Sequence, residues 1–463
     1  MGLLTFLLKF LRSFLLPVLY FGGILTAIAT IFRRAEWGLF LMVALIPQPN
    51  VFYKLYSFPM GKNFLDILFF SILIGIFFNK GGYEKKGNSV LIIVLVLASY
   101  FAVWNCSRNF SLAFPITLEN PMLRPWKSYA FMVLLYLLTF NAIKDSEDQR
   151  KILAIIVVVV VLFISVRSFR SFTAGGGYSE ASRSNGPFEV VGLGANHFGA
   201  FIAHYSALVL GLLFLDDNRW RKILYAVTVL FSLHPLFFTY SRGAYVGALV
   251  VLVFFGLVQK RILLILVFAL MVAWKTLLPT SVVDRITMTT NTEEGGVEHS
   301  AAVRLELWEY ALEAFKKNPV IGVGYGGFQF CIPEGEYSRW KDTHNYYLKM
   351  LSEQGIVGLG LFLVVLVVAF RSGWRLWKAG KEGFERGLGL GFMGCVLACA
   401  STNLFGDRWS YFEMGGYFWV LWGLVDRGIL MAQQKIASSA PSMEQTEWPS
   451  TSAGNDDMEG GKV

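Results

Sequence analysis

The sequence predicts an all-α, polytopic membrane protein with about 12–13 transmembrane helices and one large, partly helical periplasmic loop. Of its 463 residues, 55% are hydrophobic and 16% charged, which gives more apolar surface than a water-soluble core can enclose. A membrane-spanning helix needs about 20 mainly apolar residues, and about thirteen segments qualify. They lie near residues 13–32, 36–52, 63–79, 89–105, 127–143, 151–168, 192–215, 221–239, 243–258, 261–278, 355–371, 386–404 and 411–429.

The net charge of +9 does not indicate nucleic-acid binding, because the basic residues gather in short loops between apolar segments. Such loops are typical of the cytoplasmic side of a membrane protein. They alternate from the third segment onward, which places the intervening loops outside. The basic loops contain Lys80, Lys85 and Lys86; Lys144, Arg150 and Lys151; Arg219, Arg221 and Lys222; Lys260 and Arg261; and Arg371 to Arg386.

This alternation divides the chain into four parts. Residues 1–278 form the N-terminal transmembrane helices, 279–354 the large periplasmic loop with the catalytic segment, 355–432 the C-terminal transmembrane helices, and 433–463 a disordered cytoplasmic tail. The N-terminal orientation stays open. Thirteen spans put the N-terminus outside, whereas a re-entrant segment near Pro47 and Pro49 restores an even count.

The long outer loop is where chemistry is expected, since loops of this length are usually functional. The spacing of side chains over residues 302–317 predicts a helix, which is expected to end at Asn318-Pro319. Glycines between 322 and 327 predict a flexible turn in which the backbone can approach a ligand closely. A second helix is expected to begin near His344.

Arginines on the outer side are exceptions to the positive-inside pattern and indicate an anionic ligand. Arg183, Arg242, Arg285 and Arg304 are of this kind. Contact with lipid phosphate is the alternative for a single arginine. Four guanidinium groups on one face favour a diphosphate, whose oxygens match the planar fork of arginine.

His344 is the candidate general base, because a neutral imidazole at the junction of loop and membrane can accept a proton from an acceptor hydroxyl. Either Asp342 or Glu353 is placed to orient the ring. A structural histidine at a helix start is the competing interpretation.

Neither a metal nor a cofactor is predicted. Glu293, Glu294, Glu298 and His299 match no metal motif by their spacing, and no nucleotide-binding loop is present. Cys106 and Cys331 both fall in predicted outer loops, where either a disulfide or two free thiols is compatible with the sequence.

Three blocks, in this order, resemble the O-antigen ligase and O-antigen polymerase superfamily of bacterial envelope enzymes. The first comprises residues 183–188 and 194–196, and the second is Ser241-Arg242-Gly243-Ala244 at the start of a span. The third extends from Arg304 through the glycines at 322–324 and His344 to residue 358. Together the blocks cover about 180–372 of the chain.

The resemblance implies a metal-independent, inverting glycosyltransferase of the bacterial inner membrane with its active site facing the periplasm. The donor would be a glycan on undecaprenyl diphosphate, and the acceptor lipid A core. The family's essential histidine matches His344, and its essential arginines match Arg242 and Arg304. The blocks and the outer arginines supply the remaining candidate substrate-binding residues, namely Arg183, Asn196, Ser241, Arg285 and Asn345.

Enzymes that use other acceptors share these blocks, so polysaccharide polymerases and protein O-oligosaccharide ligases remain alternatives. A polysaccharide transporter or flippase is the contrasting class. Such a protein more often carries ionisable residues near the membrane midplane, whereas the charged candidates here gather at the outer boundary. Besides donor and acceptor, membrane lipids are the expected partners, and nucleic acid is not.

Overall fold

A computed structural model describes residues 2–78, 82–144, 147–171, 179–288, 299–333 and 342–439. Within these ranges every regular element is a helix, which confirms the predicted all-α fold class. The α-helices are α1 (Gly2–Phe32), α2 (Ala35–Leu45), α3 (Pro49–Phe52), α4 (Phe64–Phe78), α5 (Ser89–Asn109), α6 (Leu123–Ala142), α7 (Glu147–Ser171), α8 (Ala195–Leu215), α9 (Arg219–Phe238), α10 (Arg242–Val258), α11 (Ile262–Leu277), α12 (Thr280–Thr287), α13 (His299–Lys317), α14 (Tyr346–Ala379), α15 (Gly383–Thr402) and α16 (Phe412–Ser439).

Each apolar segment expected from the sequence coincides with a helix. In the described part of the chain, 8 helices are long and apolar enough to cross a membrane, or up to 10 if each of two bent pairs is one span. The helices α6, α10 and α16 fall below that criterion. The α16 helix has a central position, because Trp419 and Trp422 are fully buried in protein. A helix surrounded by other helices needs no continuous lipid-facing surface.

Contacts between the basic loops place them on one face of the helix bundle. Arg427, near the end of α16, donates to Glu84 at 2.8 Å and to the carbonyl oxygen of Lys144 at 2.6 Å. Arg150, which is fully buried, pairs with Glu385 at 2.8 Å. The loops after α4, α6 and α14 therefore meet, and we call this side the basic face.

The first two helices run in opposite directions across the bundle. The Tyr20 hydroxyl of α1 donates to the carbonyl oxygen of Pro59, which precedes α4 on the face opposite the basic face. Glu36, at the start of α2, accepts from Gln149 at the start of α7 on the basic face. The α1 helix thus descends to the basic face and α2 returns. The two ends of the described chain therefore lie on opposite faces of the bundle.

The long loop opposite the basic face is partly helical. After α11 the chain bends by 101° into α12, and α13 covers the helix expected at residues 302–317. Leu307 and Ala311 of α13 pack with Phe328. The α14 helix has a kink at the expected boundary, because the backbone of Gly355, whose φ is 63°, is not helical. The α16 helix continues to Ser439, and the rest of the expected tail lies outside the described residues.

The glycine turn at residues 322–327 packs closely against two neighbouring helices. A Cβ atom on Gly324, whose φ is 107°, would overlap the backbone of Cys106 in α5, and one on Gly322 would overlap the backbone of Glu353 in α14. The expected close approach to a ligand is therefore replaced at these two positions by helix contacts. The turn fastens the long loop to α5 and α14, which fixes the start of α14 beside the site.

Candidate functional site

Residues far apart in the sequence converge on one cavity of about 300 Å³, on the face opposite the basic face. Four arginines line this cavity, which we call the arginine cavity, and none of its described lining residues is acidic. The predicted residues in its wall are Asn196, Ser241, Arg242, Arg285 and Arg304, and Arg408 joins them. Packing of α8, α10, α12, α13 and the loop before α16 brings these side chains together.

The turn between α9 and α10 positions Arg242. Tyr240 has a φ of 51°, an uncommon conformation for a residue with a side chain, and its hydroxyl contacts the Ser281 hydroxyl at 3.0 Å. Ser241 caps α10, since its Oγ accepts from the backbone N–H of Ala244 at 3.4 Å. These contacts hold the start of α10 against α12, which carries Arg285 into the same cavity.

Arg183 lies beside the arginine cavity and positions one of its walls. Its Nη2 donates to Oδ1 of Asn196 at 2.6 Å, and its Nε donates to the carbonyl oxygen of Thr239 at 3.0 Å. The guanidinium itself borders a neighbouring cavity of about 610 Å³ that also includes Asn185. Arg183 therefore connects α8 with the turn that carries Arg242.

Arg408 was missed by the sequence analysis, although it lies in the outward loop 405–410 and the same positive-inside argument applies to it. It is 6% exposed. Burial lowers its pKa, while the nearby Asp342 carboxylate acts in the opposite direction. An arginine stays protonated in proteins despite such shifts, so Arg408 adds a permanent positive charge to the cavity.

His344 stands just before α14, in contact with Asp342. Its Nδ1 is 3.2 Å from Oδ1 of Asp342, and the same oxygen accepts from the His344 backbone N–H at 2.6 Å. The carboxylate favours the tautomer that carries its proton on Nδ1, which places the imidazole lone pair on Nε2. The alternative partner, Glu353, accepts instead from the backbone N–H of Gly326 at 3.0 Å. The structure thus selects Asp342 as the residue that orients the ring.

The segment around His344 is held by backbone contacts. Trp308 of α13 donates from its indole nitrogen to the carbonyl oxygen of Thr343 at 2.9 Å. Asn345 caps α14, because its Oδ1 accepts from the backbone N–H groups of Tyr347 at 3.0 Å and Leu348 at 3.3 Å. Asn345 was expected to bind substrate, and it is not among the described residues that line the arginine cavity.

His197 connects the two parts of the site. It follows Asn196 in α8, and its ring contacts Tyr411 edge-on with 5.2 Å between centroids. It lies within electrostatic range of both Arg408 and His344. His197 is not among the residues predicted from the sequence, because a histidine near a helix start gives no signal of its tertiary neighbours. Its position shows that the arginine cavity and the pair formed by His344 and Asp342 are adjacent.

The described residues contain no group of three or more side chains suited to hold a metal ion. Glu293, Glu294 and Glu298 lie outside the described residues. Cys106 and Cys331 are both free thiols. Burial, followed by the Glu353 carboxylate, raises the pKa of Cys331 to about 11, so this thiol is protonated at neutral pH.

Comparison with known proteins identifies one part of the chain. Residues 226–363 match a family model described as O-antigen ligase. The match includes Arg242, Arg285, Arg304 and His344, whereas Arg408 lies beyond it. No curated protein matches the chain.

Proposed function

The match over residues 226–363 supports the assignment of this chain to the O-antigen ligase superfamily, and on that premise we propose the reaction it performs. The family indicates a ligase or polymerase type of glycosyl transfer in general. The protein transfers a glycan from undecaprenyl diphosphate to a hydroxyl group of lipid A core. The observation that carries this proposal is the convergence of four arginines beside a histidine that contacts a carboxylate.

The arginine cavity suits the diphosphate of the donor. Arg242, Arg285, Arg304 and Arg408 bring four positive charges into a partly buried space, which suits an anionic ligand with several oxygens. Guanidinium groups contact phosphate oxygens at two points, and their charge stabilises the diphosphate as it leaves. The apolar lipid tail would extend along the membrane-spanning helices.

His344 supplies the base. As the acceptor oxygen forms its bond to the anomeric carbon, the bond from that carbon to the diphosphate breaks, and the diphosphate leaves with the electron pair. The acceptor proton passes to Nε2 of His344, and Asp342 stabilises the resulting imidazolium from the Nδ1 side. A single displacement of this kind inverts the anomeric centre. Positioning, proton removal and neutralisation of charge are assigned to the protein's own residues, with no metal or cofactor in the proposal.

The proposed orientation follows the positive-inside rule. The basic face would lie in the cytoplasm and the arginine cavity at the periplasmic side of the bacterial inner membrane. Lipid A core is the preferred acceptor, and a growing polysaccharide or a protein hydroxyl is the alternative within the same superfamily.

A transfer assay in proteoliposomes tests the enzyme against the transporter. Purified protein is supplied with undecaprenyl diphosphate-linked glycan and lipid A core, and both the glycosylated product and movement of the donor across the bilayer are measured. We expect product without coupled movement of the donor. Movement of the donor without product would contradict the proposal and support a flippase.

A further inference from the structure

A second cavity, of about 420 Å³, begins at the carboxylate that orients His344. Asp342 is part of its wall, together with three tyrosines, Tyr53, Tyr325 and Tyr411. A mixed lining of aromatic rings and convergent polar groups is typical of a ligand site. Because Asp342 contacts the His344 ring, a hydroxyl group bound at this end of the cavity would lie close to the candidate base.

The charge of this second cavity is opposite to that of the arginine cavity. Its described lining contains four carboxyl groups and one ammonium group, and we call it the acidic cavity. These charged residues are Asp342, Glu353, Asp407, Glu413 and Lys349.

Asp407 and Lys349 form an ion pair at 2.7 Å. Burial acts to raise the pKa of Asp407, but Lys349 and Ser410 outweigh burial and lower it to about 2. Both members of the pair are therefore charged at neutral pH and their charges cancel, which leaves three further carboxyl groups in the described lining.

The two cavities are neighbours, since Asp407 and Arg408 are consecutive residues on different walls. A phosphate is attracted to the four guanidinium groups of the arginine cavity, whereas the described lining of the acidic cavity offers it only Lys349, which Asp407 already pairs. Carboxylate oxygens accept hydrogen bonds from neutral hydroxyl groups, which a saccharide offers in number. The donor diphosphate and a hydroxyl-bearing acceptor are thus directed to different cavities.

The acidic cavity is continuous with a third cavity of about 690 Å³, because Tyr53, Ser128, Phe412 and Glu413 line both. The third cavity lies against α4 and α6, away from the arginine cavity, and its wall includes Phe64 and Phe131 together with charged side chains. A molecule can therefore reach the acidic cavity without passing through the arginine cavity. Ser128 is exposed at the junction.

We propose that the acidic cavity is the acceptor site, and that it binds a neutral, hydroxyl-rich saccharide that enters through the junction at Ser128. The proposal rests on the function proposed above and adds the chemical class of the acceptor's reacting end. The terminal sugar that receives the glycan is uncharged, because a phosphate on that sugar would find no cation in the described lining except Lys349, which Asp407 already pairs.

Direct binding of lipid A core to the purified full-length protein tests the site separately from catalysis. Ser128→Trp narrows the junction, and the hydroxyl it removes contacts only the carbonyl oxygen of Arg124 on the same helix. The matched control is Thr276→Trp, whose exposed hydroxyl likewise contacts a carbonyl oxygen of its own helix. We expect Ser128→Trp to weaken lipid A core binding by at least about tenfold, which corresponds to about 1.4 kcal/mol. Binding of the lipid-linked donor should be unchanged, which also shows that the variant is folded.

A second arm of the experiment uses wild-type protein and two forms of lipid A core, one ending in a neutral sugar and one in a phosphorylated sugar. We expect the neutral form to bind more tightly. Unmeasurable binding of the neutral core to wild-type protein, equal binding to Ser128→Trp, or tighter binding of the phosphorylated core would overturn the proposal.

The two proposals fail in different ways. If the wild type transfers no glycan but Ser128→Trp still loses binding of lipid A core, the proposed reaction is wrong and the acceptor site is supported. If the wild type transfers glycan and Ser128→Trp binds lipid A core as tightly as the wild type does, the reaction is supported and the proposed acceptor site is wrong.

Discussion

His344 holds a backbone conformation with a φ of 50°, which costs about 1–3 kcal/mol for a residue with a side chain. The contacts of Asp342 and Trp308 around it hold this conformation in place. Together with Tyr240 beside Arg242, it is one of a few described non-glycine residues with positive φ. Strain of this kind gathers at functional sites.

Replacing His344 with alanine should lower glycan transfer while donor binding persists. General-base catalysis contributes about 10² to 10⁴ in rate, and we expect a loss of at least about tenfold. Turnover of the variant and of the wild type is measured with saturating donor and acceptor. His299→Ala, in the same loop, is the control and should have a small effect. Full turnover by His344→Ala would remove the residue from the mechanism.

Asp342→Asn should keep the shape of the side chain and remove its charge. Without the carboxylate the imidazolium is less stable, so the acid side of the pH–activity profile should move to lower pH. Turnover should fall, because the ring is no longer held by a charged partner. Steady-state kinetics between about pH 5 and 8 tests both effects. An unchanged profile would mean that Asp342 does not act through His344.

Arg242→Ala and Arg304→Ala should each reduce transfer far more than protein abundance. A hydrogen bond to a charged group contributes about 1.5–3 kcal/mol, so we expect losses of about tenfold to a hundredfold. Lysine should restore activity only in part, because it cannot make a two-point contact with phosphate. Arg108→Ala is the control, since Arg108 is an exposed arginine at the end of α5. Complete rescue by lysine at both positions would rule out a two-point clamp.

The start of α14 depends on Asn345, whose side chain caps two backbone N–H groups. Asn345→Ala should lower the free energy of unfolding by about 1 kcal/mol, whereas Asn345→Asp should retain it, because aspartate caps helices equally well. Thermal unfolding in detergent measures this difference. If Asn345 also binds substrate through its amide, Asn345→Asp would be stable and yet inactive, which separates the two roles.

The four arginines of the arginine cavity come from four different elements. The eight-residue helix α12 places Arg285, α13 places Arg304, and Arg242 is the first residue of α10. The loop before α16 adds Arg408. Since each arginine comes from a different element, movement of any one element would change the spacing of the charges.

Across the whole molecule, the alternation of basic loops predicts that α4 and α11 each have one end on the basic face and the other end on the opposite face. Thr280→Cys, at the start of α12, should react with a membrane-impermeant maleimide added from the periplasmic side. Lys85→Cys should react only after the inner membrane is permeabilised. Cys331→Ser provides the background, because Cys331 is partly exposed. The reverse labelling pattern would overturn the orientation and the periplasmic site.

The sequence by itself determined the fold class and most of the candidate site. The need for lipid to solvate each apolar span is a local requirement, so composition and loop charge revealed the helices one by one. Outward arginines such as Arg242 and Arg304 were found in the same way. The long loop was also identified by its length and its helical spacing.

The tertiary structure decided how distant residues meet. It chose Asp342 over Glu353 as the partner of His344, added Arg408 to the arginines, and assigned Gly324 to a contact with α5. It also set the direction of α1, through a contact between residues 39 positions apart. Hydropathy describes each segment against its solvent, whereas these decisions depend on side chains that packing brings together from separate helices.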